Sequence, residues 1–396
     1  MFNYIFGLSL VSSLFSCECV EAFITNGFQN RNIRSSKLNA KTKPIKWIAC
    51  TSTKEVTKAV EEFIEKGDCV AELGSQLRET SIAICNAVGA EGKIVLADIE
   101  RKFPSSKRNE ERTSAMRREG DESSFFLDRA QFSVMKTFDY WREIFFFCQE
   151  NSNERPKYDA FVVDVSSVAG NDLGLTCISL IKEFIALNQG SCGENSCRCI
   201  IVKSGSLHHL AQRLVHAQRL FSGVQTLDLN EGNTAIIGTV GVEEYRRTIP
   251  FVVRKGDDVV ELGSHFGTST ALLHESAHDS YDKTGGCIGV DVGPSIINAA
   301  RNRFPHILFS VGDAWKTAEI LRLKKQLMPH SSGSFDCVYV DVGGLSGSEG
   351  LLEAISLITA ISNSMEPRAI VIKSLCVRRL ASSLVPYSEV QRKNKS

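Results

Sequence analysis

The stretch VVELGSHFGTST, residues 259–270, begins with an apolar run, meets one acidic residue and then turns through two glycines. A strand that ends on Glu261 and leaves through Gly263 toward a helix is the local signature of a parallel βα unit. A second version stands 189 residues earlier, VAELGSQLRETS at 70–81, with Glu72-Leu73-Gly74-Ser75 matching Glu261-Leu262-Gly263-Ser264. Gly267, however, is matched by Arg78. One chain carries the same turn twice, once with both glycines and once with a single one.

The match extends outward. IACTSTKEVTKAVEEFIEKGDCVAELGS from Ile48 aligns ungapped with IGTVGVEEYRRTIPFVVRKGDDVVELGS from Ile237. YDAFVVDVSSVAGNDLGLTCISLI (158–181) aligns with FDCVYVDVGGLSGSEGLLEAISLI (335–358). CIIVKSGSLHHLAQRL from Cys199 aligns with AIVIKSLCVRRLASSL from Ala369. A unit of roughly 170–190 residues exceeds any solenoid period and predicts two duplicated domains. In the second unit DVVEL, GCIGVD, ILFSVGD, FDCVYVD and RAIVIKS read as strands. The intervening segments read as helices, with Pro294 suited to a first helical turn. Continuous apolar strands separated by helices predict parallel βαβ units whose sheet is covered on both faces. The expected fold is α/β: two tandem Rossmann-like, doubly wound parallel-sheet domains over residues 45–232 and 233–396.

The units differ in two places. The first carries a polar, charged insert near residues 101–128, expected to be a disordered loop. It also continues past its last helix into GVQTLDL and NTAIIGTV, which look like a closing pair of strands, while the second unit stops at Ser396 without an equivalent pair. Either the second sheet is abbreviated or the interface between units shields its edge.

The 396 residues, 43% hydrophobic and 23% charged, suit two soluble globular domains. Lys and Arg balance Asp and Glu at 46 each, so no basic excess points to nucleic acid. YIFGLSLVSSLFS (4–16) is an apolar run of signal-peptide length, and Val20 with Ala22 offers a cleavage site, giving a signal peptide over 1–22. From Phe23 to Lys46 there are six basic residues and no acidic one, so 23–44 has the composition of a transit segment. The combination resembles the bipartite plastid presequence of algae with secondary plastids; secretion and mitochondrial import are the alternatives. No membrane span is expected in the mature protein.

Of the 13 cysteines only Cys192, Cys197 and Cys199 cluster, as C-x4-C-x-C. A metal site, a redox-sensitive loop and plain loop cysteines all fit that spacing. His208, His209 and His216 are expected on one solvated helix face.

In an open parallel sheet, ligands bind at the carboxyl ends of the strands near the switch in strand order. In the second unit those ends carry Glu261 and Gly263, then Asp291, Asp313, Asp341 and Lys373. The G-x3-G spacing, with His265 inside it, disfavours a dinucleotide pyrophosphate and suits a smaller nucleoside. A carboxylate at Asp291 can accept from both hydroxyls of a ribose. Asp313 can accept from an adenine amino group, with Trp315 as an apolar wall.

These residues resemble the class I S-adenosylmethionine-dependent methyltransferases. VVELGSHFGTST is similar to the family's first motif in its E-x-G-x3-G form, GVDVGPSIINAARNRF to its second and SVGDAW to its third. The resemblance covers nearly all of the second unit and, more weakly, the first. It implies two methyltransferase-type domains and S-adenosyl-L-methionine as cofactor. Glu261, Gly263, Ser264 and Gly267 would line the methionine moiety, Asp291 would hold the ribose and Asp313 the adenine. For each residue taken singly, strand-to-helix packing or helix capping is the alternative.

The reaction centre is expected at Asp341 and Lys373, on adjacent strand ends. RNA ribose 2′-O-methyltransferases use a Lys-Asp-Lys-Glu tetrad with an Asp and a Lys at similar strands. Only those middle two are matched; Arg246 or Arg247 would stand for the first Lys, and no final Glu is found. Catechol-type O-methyltransferases hold a metal between carboxylates, a pattern that Lys373 breaks, so no metal is expected. No N-P-P-Y-like run argues for amino-group methylation of adenine. The alternative is a structural ion pair, since the first unit keeps both partners as Asp164 and Lys203.

In the first unit Arg78 replaces Gly267, Lys136 replaces Asp313 and Asp98 stands at the Asp291 position. An arginine in that turn fills ligand space and demands an unfavourable backbone angle, so this unit is expected to have lost the cofactor. The expected function is S-adenosylmethionine-dependent methyl transfer by the C-terminal unit to an unidentified acceptor, RNA ribose or another hydroxyl among them. A local basic patch such as Arg378-Arg379 would serve an RNA acceptor. A catalytically inactive binding or scaffold protein is the alternative, and a nucleotide-dependent oxidoreductase is disfavoured by the glycine spacing.

Overall fold

The computed structural model describes residues 45–74, 79–99, 130–135, 157–165, 174–188, 197–223 and 233–390, less 283, 330, 332, 346, 348 and 349. Residues 1–44, expected to be a presequence, the 101–128 insert, Arg78, Lys136 and Cys192 lie outside the described residues, and the Asp98 side chain is likewise not described.

Among the described residues fourteen strands form two sheets. The strands are β1 (Lys46–Cys50), β2 (Cys69–Leu73), β3 (Lys93–Ile99), β4 (Ala130–Met135), β5 (Ala160–Val163), β6 (Cys199–Lys203), β7 (Leu214–His216), β8 (Ala235–Thr239), β9 (Asp258–Leu262), β10 (Gly286–Asp291), β11 (Leu308–Val311), β12 (Cys337–Val340), β13 (Ala369–Lys373) and β14 (Leu384–Pro386). The helices among the described residues are α1 (Thr53–Phe63), α2 (Glu79–Val88), α3 (Gly174–Asn188), α4 (Gly205–Arg213), α5 (Ala217–Phe221), α6 (Gly241–Arg247), α7 (Ile249–Val252), α8 (Thr268–Ala277), α9 (Pro294–Arg303), α10 (Thr317–Leu327), α11 (Leu351–Met365) and α12 (Leu375–Ser383). Pro294 opens α9 as the sequence predicts.

One sheet runs β14-β1-β6-β5-β2-β3-β4 and the other β7-β8-β13-β12-β9-β10-β11, so the two orders correspond strand for strand. Every pairing is parallel. The apolar runs explain this: β9 and β12 are buried along their whole length, which requires helices on both faces. In the second sheet the chain moves outward from β9 to β10 and β11, then returns to the far side of β9 with β12. The switch in strand order therefore falls between β9 and β12, and its counterpart between β2 and β5. Both domains are Rossmann-like, doubly wound α/β units.

The outermost pairing departs from the sequence expectation. Ala235–Thr239, from NTAIIGTV, does not close the first sheet; it is an inner strand of the second and takes the place that Lys46–Cys50 takes in the first. GVQTLDL lies outside the described residues beyond Gly223. Each sheet is instead finished by a strand from the other half. Leu214–His216 leaves α4 and pairs with Ile236–Gly238, and Leu384–Pro386 leaves α12 and pairs with Trp47–Ala49. The second sheet is not abbreviated: it has seven strands, the last supplied by the N-terminal half. The exchanged strands are three residues long and one contains Pro386, as suits an exposed edge.

The exchange begins in the same way on both sides. Ser204 caps α4 by accepting from the Leu207 amide at 3.1 Å, and Ser374 caps α12 by accepting from the Val377 amide at 3.3 Å. Each helix then passes directly into extended backbone at Leu214 or Leu384. The run of histidines is therefore not one solvated helix face. His216 lies in β7, and His208 is buried, its Nε2 3.4 Å from Ser388 Oγ of the other half. Between the sheets α3 and α11 pack on each other, and Ile178, Phe184, Leu357 and Ile361 join the inner faces of both sheets in one core. Of the cysteine cluster, Cys197 and Cys199 are buried, and burial pushes the Cys199 thiol up to about 11, which keeps it protonated and unreactive. Among the described residues no helix is long and apolar enough to cross a membrane.

Candidate functional site

A cleft of about 770 Å³ opens over the carboxyl ends of β9, β10, β11, β12 and β13, at the switch in strand order. Its walls bring together Glu261, Gly263, Ser264, Asp291, Asp313, Asp341 and Lys373. Residues spread over more than a hundred positions meet because five parallel strands end at one level.

Gly263 leaves β9 at φ +87°, in the left-handed region that favours glycine. Its Cα faces the carbonyl of Asp341, and a Cβ there would run into that oxygen. Gly74 repeats this at φ +88° against the carbonyl of Asp164. The first glycine is therefore demanded by the approach of two strand ends in both halves, with or without a ligand.

Gly267 takes no part in the cleft wall. It caps α8 at φ +81°, with its Cα turned away toward Phe304 and Phe309, and a Cβ would come within 2.5 Å of Phe309 Cζ. An arginine at this position would meet both a strained backbone and an apolar cluster. The backbone cost is the one the sequence anticipates, but the space it would invade belongs to the Phe304–Phe309 packing.

Glu261 is buried in the cleft floor. The Tyr245 hydroxyl donates to its Oε1 at 3.3 Å, and the Thr270 hydroxyl donates to its Oε2. Burial pushes its pKa up to about 8; the Thr270 bond pulls against that shift, and the Asp341 charge adds to it. Glu72 occupies the same place in the other half, buried and accepting from Ser81 Oγ at 2.7 Å. Tyr245 is a site residue that the sequence did not single out. Its distance of sixteen residues from Glu261 gives no local signal, and its partner position in the first half is Val56.

Asp291 already works as a clamp. Its Oδ2 accepts from the His265 amide at 3.1 Å and its Oδ1 from the Gly293 amide at 3.0 Å, tying the glycine turn to the end of β10. Two bonds leave lone pairs on both oxygens for further donors. Asp313 accepts from the Trp315 amide at 3.0 Å. Trp315, Phe266 and Val292 form an exposed apolar rim, with Val292 68% exposed. The Ser264 hydroxyl is buried in the wall and has no hydrogen-bond partner among the described residues. A buried polar group of this kind calls for a ligand or water.

Lys373 and Asp341 form an ion pair at the head of the cleft. The counterpart pair Lys203–Asp164 spans 3.0 Å. Arg246 and Arg247 have separate fates. Arg246 lines the cleft with its Nε donating to Ser269 Oγ at 2.9 Å, whereas Arg247 stacks over the Phe221 ring, 4.4 Å from its centroid.

No protein-family model matches the chain, and no curated protein matches it. Among solved structures it is similar to a TehB-like SAM-dependent methyltransferase from Corynebacterium glutamicum, with 19% identity over 40% of this chain and 71% of that one, TM-score 0.24. It is also similar to the sugar N-methyltransferase KedS8 from Streptoalloteichus, with 16% identity over 39% of this chain and 52% of that one, TM-score 0.23. Phosphoethanolamine N-methyltransferase 2 from Haemonchus contortus, in complex with S-adenosyl-L-methionine, shares 11% identity over 80% of this chain and 73% of that one, TM-score 0.21. All three neighbours are methyltransferases, but the superpositions are loose, and the site is read from its own geometry.

Proposed function

We propose that the C-terminal half binds S-adenosyl-L-methionine and transfers its methyl group, and that the N-terminal half is a duplicated copy that has lost the cofactor. The observation that carries this reading is the convergence of Glu261, Ser264, Asp291 and Asp313 on one cleft, with the Ser264 hydroxyl buried in its wall and unpartnered among the described residues. The groups fit the molecule. Asp291 keeps acceptor capacity for a ribose, Asp313 beside Trp315 suits an adenine, and the buried Glu261 carboxyl ionises as the cationic methionine end binds beside it.

Bound there, S-adenosylmethionine supplies an electrophilic methyl group. This chain's own residues supply orientation and proton handling. The Asp291 clamp sets the ribose, and Asp341, held by Lys373, is the acceptor's proton base on an adjacent strand end. The acceptor is a hydroxyl in this scheme, RNA ribose or otherwise. A second reading, a binding protein without catalysis, is favoured by the recurrence of the Asp–Lys pair at Asp164–Lys203, where it stands as an ion pair.

Calorimetry on the full chain with S-adenosylmethionine tests the cofactor. Wild type binds, and Asp291→Ala loses at least tenfold in affinity while keeping its melting temperature within a few degrees. A folded wild type that takes up no cofactor removes the proposal. We further propose plastid delivery by residues 1–44; a fusion of that segment to a fluorescent protein, expressed in an alga with a secondary plastid, is expected in the organelle rather than in the medium or mitochondria.

A further inference from the structure

A second cavity, of about 830 Å³, lies between the halves. The N-terminal half lines it with α3 and α4, and the C-terminal half with β8 and α11. Its walls are mostly apolar, with Ile178, Leu210, Ile236, Ile355 and Ile358 prominent, and no Asp or Glu lines it among the described residues. Among the described residues Arg213, at the end of α4, is its one Lys or Arg, with the His209 imidazole also in the lining.

Arg213 donates from Nε to the Thr234 carbonyl at 2.9 Å and from Nη2 to Ser362 Oγ at 2.5 Å. Both partners are neutral, and Arg213 makes no ion pair among the described residues. A guanidinium has five donors, so this one retains unused donors beside the cavity. A partly buried cation without a counter-charge is costly, and burial lowers its pKa accordingly. The position matching Arg213 in α12 is Ser383, and the position matching Ser362 in α3 is Ile185. The polar pair is thus present on one side of an otherwise paired arrangement, and strand exchange, the shared task of the two helices, does not need it.

We propose that this interdomain cavity binds a small amphipathic monocarboxylate, with the head group on Arg213 and an uncharged body on the isoleucine-lined wall. A carboxylate takes two parallel bonds from a guanidinium fork. Arg213 is the one Lys or Arg among the described lining residues, and its single charge balances a single negative charge, which favours a monoanion over a phosphate dianion. Apolar walls with one fixed polar anchor are the usual composition of small-ligand sites, and such sites occur preferentially between domains.

The test is calorimetry on the full chain with octanoate, octan-1-ol and octyl phosphate as probes. Wild type is expected to bind octanoate at least tenfold more tightly than octan-1-ol. Arg213→Met abolishes that preference, Arg213→Lys retains part of it, and Ser356→Phe, which fills the cavity and leaves the arginine in place, blocks octanoate. Circular dichroism and melting curves establish that each variant is folded; should Arg213→Met fail to fold, Ser356→Phe carries the test. Octanoate binding that is unchanged in both folded variants overturns the proposal, as does a folded wild type that binds no octanoate. Tighter binding of octyl phosphate than of octanoate overturns the monocarboxylate assignment.

Discussion

Gly263 lies against the Asp341 carbonyl so closely that no side chain fits between them. The contact locks the end of β9 to the end of β12, the two strands that flank the switch point. Gly74 and Asp164 repeat it in the other half. The fold therefore demands this glycine wherever the two strand ends meet.

Gly263→Ala is expected to destabilise the chain by more than about 2 kcal/mol, since a left-handed angle alone costs a non-glycine residue about 1–2 kcal/mol before the clash is counted. Gly74→Ala should cost a similar amount although its half is proposed to bind no cofactor. Denaturant midpoints check both; a loss at Gly263 alone would tie that glycine to the ligand instead of the fold.

Glu261 gives the stability a pH dependence of known sign. Its folded pKa is raised by burial to about 8, so the folded chain holds a proton that the unfolded chain releases earlier. The contribution is fully present below the usual carboxylate range and is lost as pH rises through about 8. Glu261→Gln removes that fall, which is on the order of a few kcal/mol. Melting temperature against pH, from 4 to 9, reads the difference.

The Asp341–Lys373 pair tunes the same titration. Asp341 raises the Glu261 pKa by charge repulsion, and Lys373 neutralises Asp341. Asp341→Asn should move the Glu261 midpoint down and Lys373→Met should move it up, each measured by the carboxyl's carbon-13 shift. Both variants should keep cofactor affinity within about threefold, because neither residue holds the nucleoside in the proposed site.

The exchanged strands make each half depend on the other. Leu384 is buried where β14 pairs with β1 of the N-terminal sheet. Leu384→Ala is expected to cost about 2–4 kcal/mol. Truncation after Ser383 should speed amide exchange in β1, far away in sequence, more than in β9. Equal protection of β1 with and without β14 would show the exchanged strand to be dispensable.

The sequence by itself determined the two α/β units. Continuous apolar runs such as DVVEL can be buried on both faces only in a parallel sheet, and one of the helices between them carries its own start signal in Pro294. It also determined which strand ends carry Glu261, Asp291, Asp313, Asp341 and Lys373, because parallel strands place all their carboxyl ends on one side. Tertiary structure alone decided three other matters. Gly267 faces Phe304 and Phe309 and not the cleft, since a helix cap can turn either way and only packing selects. Tyr245 reaches Glu261 through a contact with no local periodicity. The last strand of each half joins the other sheet because a three-residue strand carries too little pattern to name its partner. The open edge that receives it, and the core shared by α3 and α11, decide that pairing.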